Sequence, residues 1–204
     1  MTLQRDHALP REEDLDTRAR IVRVAETLFH RYGYQKTTVA DIARELQMSP
    51  ANVYRFFAAK KDINEAVALR LTTEVEAAIR AMIDGPGTAT EKLRAYVLMT
   101  HRMNAERYVD DVKMHEMVAV AMSESWPLIE GHIRRMHALL TEIIEQGIAS
   151  GEFATPDPAV AAHCVKAATM RFCHPKLMVE CANVTEPTID QMIDFALAGL
   201  GCRS

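Results

Sequence analysis

Apolar residues recur along nearly the whole 204-residue chain at offsets of three and four, the spacing that lines one face of an α-helix. Strand-like alternation is almost absent, so the pattern predicts an all-α protein. The first helix runs from about Leu15 to Tyr32, with Ile21, Val24, Ala25, Leu28 and Phe29 facing inward and Gly33 as its stop. Two short helical patterns then pack around a tight turn. In the first, from Thr38 to Leu46, the residues Val39, Ile42, Ala43 and Leu46 share a face while Asp41, Arg44 and Glu45 stay in water. The hydroxyls of Thr37 and Thr38 are placed to accept from orphan backbone donors at its start, and Asp41 follows Thr38 by three residues. After Gln47 and Met48, Ser49 supplies an N-cap and Pro50 the first position of the second pattern, Ser49 to Phe57, which docks through Val53, Phe56 and Phe57.

A long helix from about Lys61 to Ile83 follows, with a stripe of Ile63, Ala66, Val67, Leu71, Val75, Ala78 and Met82 that ends at Gly85, Pro86 and Gly87. Further helices are expected at about 88–107, 110–123, 126–150, 157–173 and 188–199. That makes nine. Pro127, Gly151, Pro156, Pro158, Pro175 and Pro187 mark the junctions, because proline interrupts regular backbone hydrogen bonding. The opening sixteen residues are polar and hold no apolar run, so they read as a loose arm rather than a signal peptide or anchor.

Charge divides the chain. Its net charge is -4, which on its own argues against a polyanionic partner. From Thr17 to Lys61, however, nine basic residues face three acidic ones, a net of +6, while the first sixteen residues carry -3 and the remainder -7. A polyanion would be drawn to one end and repelled from the other, which orients docking and makes binding salt dependent. No stretch approaches the roughly twenty apolar residues of a membrane span, so a cytoplasmic location without a membrane partner is the expectation.

The chemistry-bearing residues point the same way. Ser49, Pro50, Ala51, Asn52, Tyr54 and Arg55 lie toward the exposed N-terminal side of the second short helix. A small-residue start with Asn and Arg suits a helix end entering the major groove, where both side chains can pair base edges bidentately. Two short helices joined by a turn also occur without any such role. No Ser/His/Asp order, glycine-rich phosphate loop or HExxH motif is found, so an enzyme is not expected. His163, Cys164, Cys173, His174 and Cys181 fall within nineteen residues, which leaves metal or thiol sensing open, but their spacing matches no zinc template and neither metal nor cofactor is expected. No CxxC pair occurs, and a disulfide scaffold is not anticipated.

The segment TRARIVRVAETLFHRYGYQKTTVADIARELQMSPANVYRFFAAKKDI, Thr17 to Ile63, resembles the tetracycline-repressor (TetR) family of bacterial transcriptional regulators in order and spacing. The resemblance implies a DNA-binding domain at 17–62, after the arm at 1–16, and a helical ligand-sensing and dimerisation domain at 63–204. By position it gives phosphate contacts to Thr38, Tyr54 and Lys60 and the groove-facing surface to Ser49, Pro50, Ala51, Asn52 and Arg55, with Asn52 and Arg55 reading bases. Two departures stand out: Gln47 replaces a common turn glycine, and Ala58-Ala59 replaces a common Pro-Ser before the next helix.

The resemblance further implies a homodimer on a palindromic double-stranded operator, released by a small apolar or aromatic effector. For the dimer interface the candidates are Ala161, Cys164, Val165, Ala168 and Phe172 on one late helix and Ile189, Ile193, Ala196, Leu197 and Leu200 on another, although such stripes also serve as internal core. For the pocket they are Met99, His101, Met103, Met114, His115, Met117, Trp126, Met136 and Met170, because flexible thioethers adapt to apolar guests. A regulator with no small-molecule effector, or one that responds to metal or thiol chemistry, stays open at this point.

Overall fold

The structure is a computed structural model that describes residues 12–109 and 112–201. It is all-helical over the described residues and divides into two compact units, one reaching Val67 and the other starting at Ala68. The first unit holds α1 (Glu12–Tyr32), α2 (Val39–Glu45), α3 (Pro50–Tyr54) and the start of α4 (Lys60–Asp84). The second holds the rest of α4, then α5 (Ala89–Asn104), a π-helical turn (Ala105–Val109), α6 (Val112–Glu124), α7 (Trp126–Ser150), α8 (Pro158–Cys173), α9 (Pro175–Glu180) and α10 (Ile189–Gly199).

Ten α-helices therefore replace the expected nine among the described residues. The additional one is α9, which begins at Pro175. Proline there does not only stop a helix: its fixed φ and missing N–H also suit the first helical position, so α9 restarts directly after His174. At the other end, α1 begins at Glu12, three residues before the expected Leu15. The expected loose arm otherwise lies outside the described residues.

The first unit closes around Ile21, Ala25, Phe29, Ile42, Ala43, Val53 and Ile63, all wholly buried. In the second unit the core joins α4, α5, α7, α8 and α10 through side chains such as Ile79, Leu93, Ile143, Ala162 and Ile193. Along α4 the inward stripe steps by four, Leu71, Val75, Ile79 and Ile83, so Ala78 and Met82 sit at its half-buried edge rather than at its centre.

Polar contacts lock these helices together. Arg80 makes a bidentate pair with Glu142 at 2.8 and 2.7 Å, joining α4 to α7. Glu152 reaches the start of α5, where its carboxylate accepts from the backbone N–H groups of Ala89 at 3.0 Å and Thr90 at 2.9 Å. Burial works to raise its pKa, but the Thr90 and Ala89 donors outweigh it and hold the carboxyl at about 2. Gly147 lets α7 approach the chain after its end: a Cβ there would fall 2.1 Å from the ring of Phe153.

In the single chain the expected dimer stripe lies largely inward. Ala161, Val165, Ile193, Ala196, Leu197 and Leu200 are buried in the chain's own core, and Ile189 packs against that core half-buried. Ala168 and Phe172 are half-buried, and of the expected set only Cys164 is exposed. The outward apolar side chains on these two helices are instead Val160, Met170 and Phe195, the last 71% exposed. Both faces of α8 and α10 carry apolar residues, and the chain's own core claims the denser one.

Candidate nucleic-acid interface and interior cavity

In the first unit the two short helices are built by their caps. Thr38 and Asp41 form a full capping box on α2: Thr38 Oγ1 accepts from the Asp41 N–H at 3.1 Å, and Asp41 Oδ2 accepts from the Thr38 N–H at 3.0 Å. The Thr38 hydroxyl and backbone, followed by Arg44, hold the Asp41 carboxyl below its ordinary pKa. Thr37 does something different from the expectation. Its side chain is buried and donates to the carbonyls of Gly33 at 2.8 Å and Leu28 at 3.3 Å, tying the end of α1 to the start of α2.

The turn between α2 and α3 passes through Gln47 at φ 58°, the left-handed conformation that its glycine-like position demands. Ser49 then caps α3 by accepting from the Asn52 N–H at 3.2 Å. Regular α structure lasts only from Pro50 to Tyr54, and the expected continuation to Phe57 is a tighter turn in which Arg55 N–H bonds Asn52 O and Phe56 N–H bonds Val53 O. Val53 is wholly buried and Phe57 nearly so, and the two hold α3 in place, while Phe56 is only half-buried.

That anchoring leaves one polar surface outward. Ser49, Pro50, Ala51, Tyr54 and Arg55 are exposed and Asn52 is half-exposed. Arg55 Nη1 donates to Asn52 Oδ1 at 3.3 Å, so the two base-reading candidates stand side by side with the Asn amide nitrogen and the rest of the guanidinium still available. Arg18, Arg20, Arg23, Lys36, Arg44 and Lys61 are also exposed on this unit.

Lys60, also among the candidate DNA contacts, is held by the protein itself. Its ammonium donates to the backbone carbonyls of Tyr34 at 2.9 Å and Thr37 at 3.1 Å, and lies 4.2 Å from the centroid of the Tyr34 ring. It clamps the link between α1 and α2 instead of reaching outward. Next to it, Asp62 Oδ2 accepts from the Ala59 N–H at 3.0 Å, which is half of a capping box whose hydroxyl half Ala59 cannot supply.

The second unit holds a partly open cavity of about 340 Å³, within the range of small-molecule sites. Of the expected lining, Met117, Trp126, Met136 and Met170 face it. Met99 and Met103 do not, since they pack against the core, and His101 places Nδ1 2.7 Å from the carbonyl of Phe172. The side chains of Met114 and His115 lie outside the described residues. From α5 the cavity instead receives Tyr96, Thr100 and Asn104, one residue off the methionine row and therefore about 100° around the helix.

Polar lining that periodicity did not reveal includes His132, Lys166, Thr169 and Cys173. Burial pushes the Cys173 thiol up to about 12, so it stays protonated and is a poor nucleophile. His163 stacks on His137 at 3.8 Å between ring centroids, apart from Cys173. Among the described residues no three His, Cys, Asp or Glu side chains converge as metal ligands, and no helix is long and apolar enough to cross a membrane.

Comparison with known proteins matches both units. A family model described as "Bacterial regulatory proteins, tetR family" covers residues 21–67, and one described as "Tetracyclin repressor-like, C-terminal domain" covers residues 89–193, more than half of the chain. The HTH-type transcriptional regulator UidR of Escherichia coli (strain K12) is 24% identical over 130 residues, which is 64% of this chain and 63% of that protein. The chain thus spans less than two thirds of the length of the curated relatives it matches. Among solved structures, a transcriptional regulator from Saccharomonospora viridis in complex with choline aligns over 92% of this chain and 96% of its own, at 21% identity and TM-score 0.67. The regulator FadR from Bacillus subtilis in complex with stearoyl-CoA aligns over 89% and 96%, at 18% identity and TM-score 0.61.

Proposed function

The chain belongs to the tetracycline-repressor (TetR) family, and from that premise we propose that it is a sequence-specific, dimeric transcriptional repressor that a small molecule releases from its operator. The observation that carries this reading is the outward surface of α3: Asn52 and Arg55 side by side, flanked by Ser49, Pro50, Ala51 and Tyr54, on a helix fixed from behind by Val53 and Phe57. Such a helix suits the major groove, with Arg55 pairing guanine and Asn52 adenine. Thr38 and Tyr54 supply contacts to phosphate. The protein is not an enzyme in this reading, and it works in the cytoplasm, where its DNA is.

One head of this size buries too little surface to select a single site, so two copies read a palindrome with half-sites about 34 Å apart or more. For the partner surface the exposed Val160, Cys164 and Phe195 stand beside the residues that the core holds. The cavity is the effector site. Its lining includes Leu71 and Val75 of α4, the helix whose first turn carries the wholly buried Ile63 of the head. A guest that prefers one setting of α4 shifts the population of heads able to span the operator.

Selection of bound fragments from random duplex DNA tests the first part and should return a palindrome. Recovery of unrelated sequences would overturn it. A compound that raises the melting temperature while weakening DNA affinity supports the second part, whereas a regulator with no effector would never show that pairing of effects.

A further inference from the structure

The polar groups around the cavity are nearly all occupied by the protein itself. Tyr96 Oη donates to the carbonyl of Met136 at 3.1 Å, Thr100 to that of Tyr96 at 2.7 Å, Thr169 to that of Val165 at 2.8 Å, and Asn104 to that of Cys173 at 2.6 Å. His132 meets Glu76 at 2.6 Å, and Glu76 also accepts from Arg135 at 2.7 Å, so that cluster is balanced in charge. Lys166 stands apart. It lines the cavity from α8, half-buried, and its ammonium has no hydrogen bond or carboxylate partner among the described residues.

We propose that the guest of this cavity is an amphipathic carboxylate, whose single negative charge meets the ammonium of Lys166 and whose aliphatic or aryl body fills the apolar space. This rests on the reading of the cavity as an effector site. An unpaired ammonium beside an apolar cavity is costly until an anion arrives, and the same charge repels a cationic guest. The guest needs one negative charge rather than two, because the neighbouring guanidinium of Arg135 is already paired with Glu76, and that of Arg107 with Glu74 at 2.9 Å. Lys166 titrates accordingly: burial lowers its pKa, with no acidic neighbour among the described residues to restore it. Lys166 on α8 and His132 on α7 both line the cavity, which puts its head-group end at the wall between those two helices.

The test uses the full chain and follows the fluorescence of Trp126, the single tryptophan of the sequence and a lining residue. Dodecanoate and 4-phenylbutanoate are titrated beside their methyl esters, dodecylamine and choline. Each acid should bind at least about tenfold more tightly than its ester, and neither cation should bind. Lys166→Met should remove most of that preference, a loss of about 10- to 100-fold for the acids alone. Lys166→Arg should keep it, and Lys166→Glu should transfer it to dodecylamine, which guards against a variant that merely fails to fold. An ester that binds as tightly as its acid, a Lys166→Met protein that keeps the preference, or no binding by either acid would overturn the proposal. DNA affinity measured on the same samples separates the two readings. Esters that bind equally well and release DNA overturn only the head-group inference, while acids that bind through Lys166 without affecting DNA uphold it and remove the effector role.

Discussion

Gln47 holds a left-handed backbone that glycine would adopt without steric cost, in a turn where its own side chain is exposed. Gln47→Gly should therefore stabilise the protein by about 1 kcal/mol in denaturant unfolding, with no change in preferred DNA sequence. Lys60 allows a sharper check. Its ammonium rests on the carbonyls of Tyr34 and Thr37, so Lys60→Met should lower the melting temperature in the absence of DNA, a loss of about 1.5 to 3 kcal/mol. A phosphate contact alone would leave that temperature unchanged. Glu152 makes the pH dependence explicit. Its folded pKa of about 2 lies below the ordinary 4.5, so its contribution is present above pH 4.5 and is lost as pH falls toward 2. Glu152→Gln should melt earlier than the wild type at pH 7, and the gap should close across that window. A constant gap would show that the carboxylate does not cap α5.

At the scale of elements, the close approach of α7 and Phe153 depends on Gly147. A methyl group there would sit inside the phenyl ring's van der Waals surface, so Gly147→Ala should cost about 1 to 3 kcal/mol by forcing ring and helix apart. Thermal unfolding of the variant measures it. Elements of this kind differ in how far they can be read from sequence. The α2 and α3 pair was legible because its signals are local: a Thr38/Asp41 box, a Ser49-Pro50 start, and apolar spacing within nine residues. The role of Lys60 was hidden because its partners lie 23 to 26 residues away. On α5 the amphipathic pattern located the helix, but Met99 and Met103 beside Tyr96, Thr100 and Asn104 offered two adjacent faces, and only the packing of neighbouring helices selects the one that lines a cavity. The late helices posed the same ambiguity, and there the chain's own core took Val165, Ile193 and Leu197.

For the whole molecule, segregated charge is the property that links sequence to function. A net of +6 between Thr17 and Lys61, in a chain of net charge -4, directs a polyanion to the unit that carries α3. The two family models fall on either side of the same boundary, one covering 21–67 and the other 89–193. The most direct measurement is a fluorescence-anisotropy titration of a selected palindromic duplex across a salt series, with wild-type protein and Arg55→Ala side by side. The expected result is affinity that falls linearly with log salt, and a loss of about 1 to 3 kcal/mol for Arg55→Ala that vanishes on a duplex altered at the contacted base. Equal binding of every duplex by both proteins, or no binding even at low salt, would contradict a base-reading role for α3.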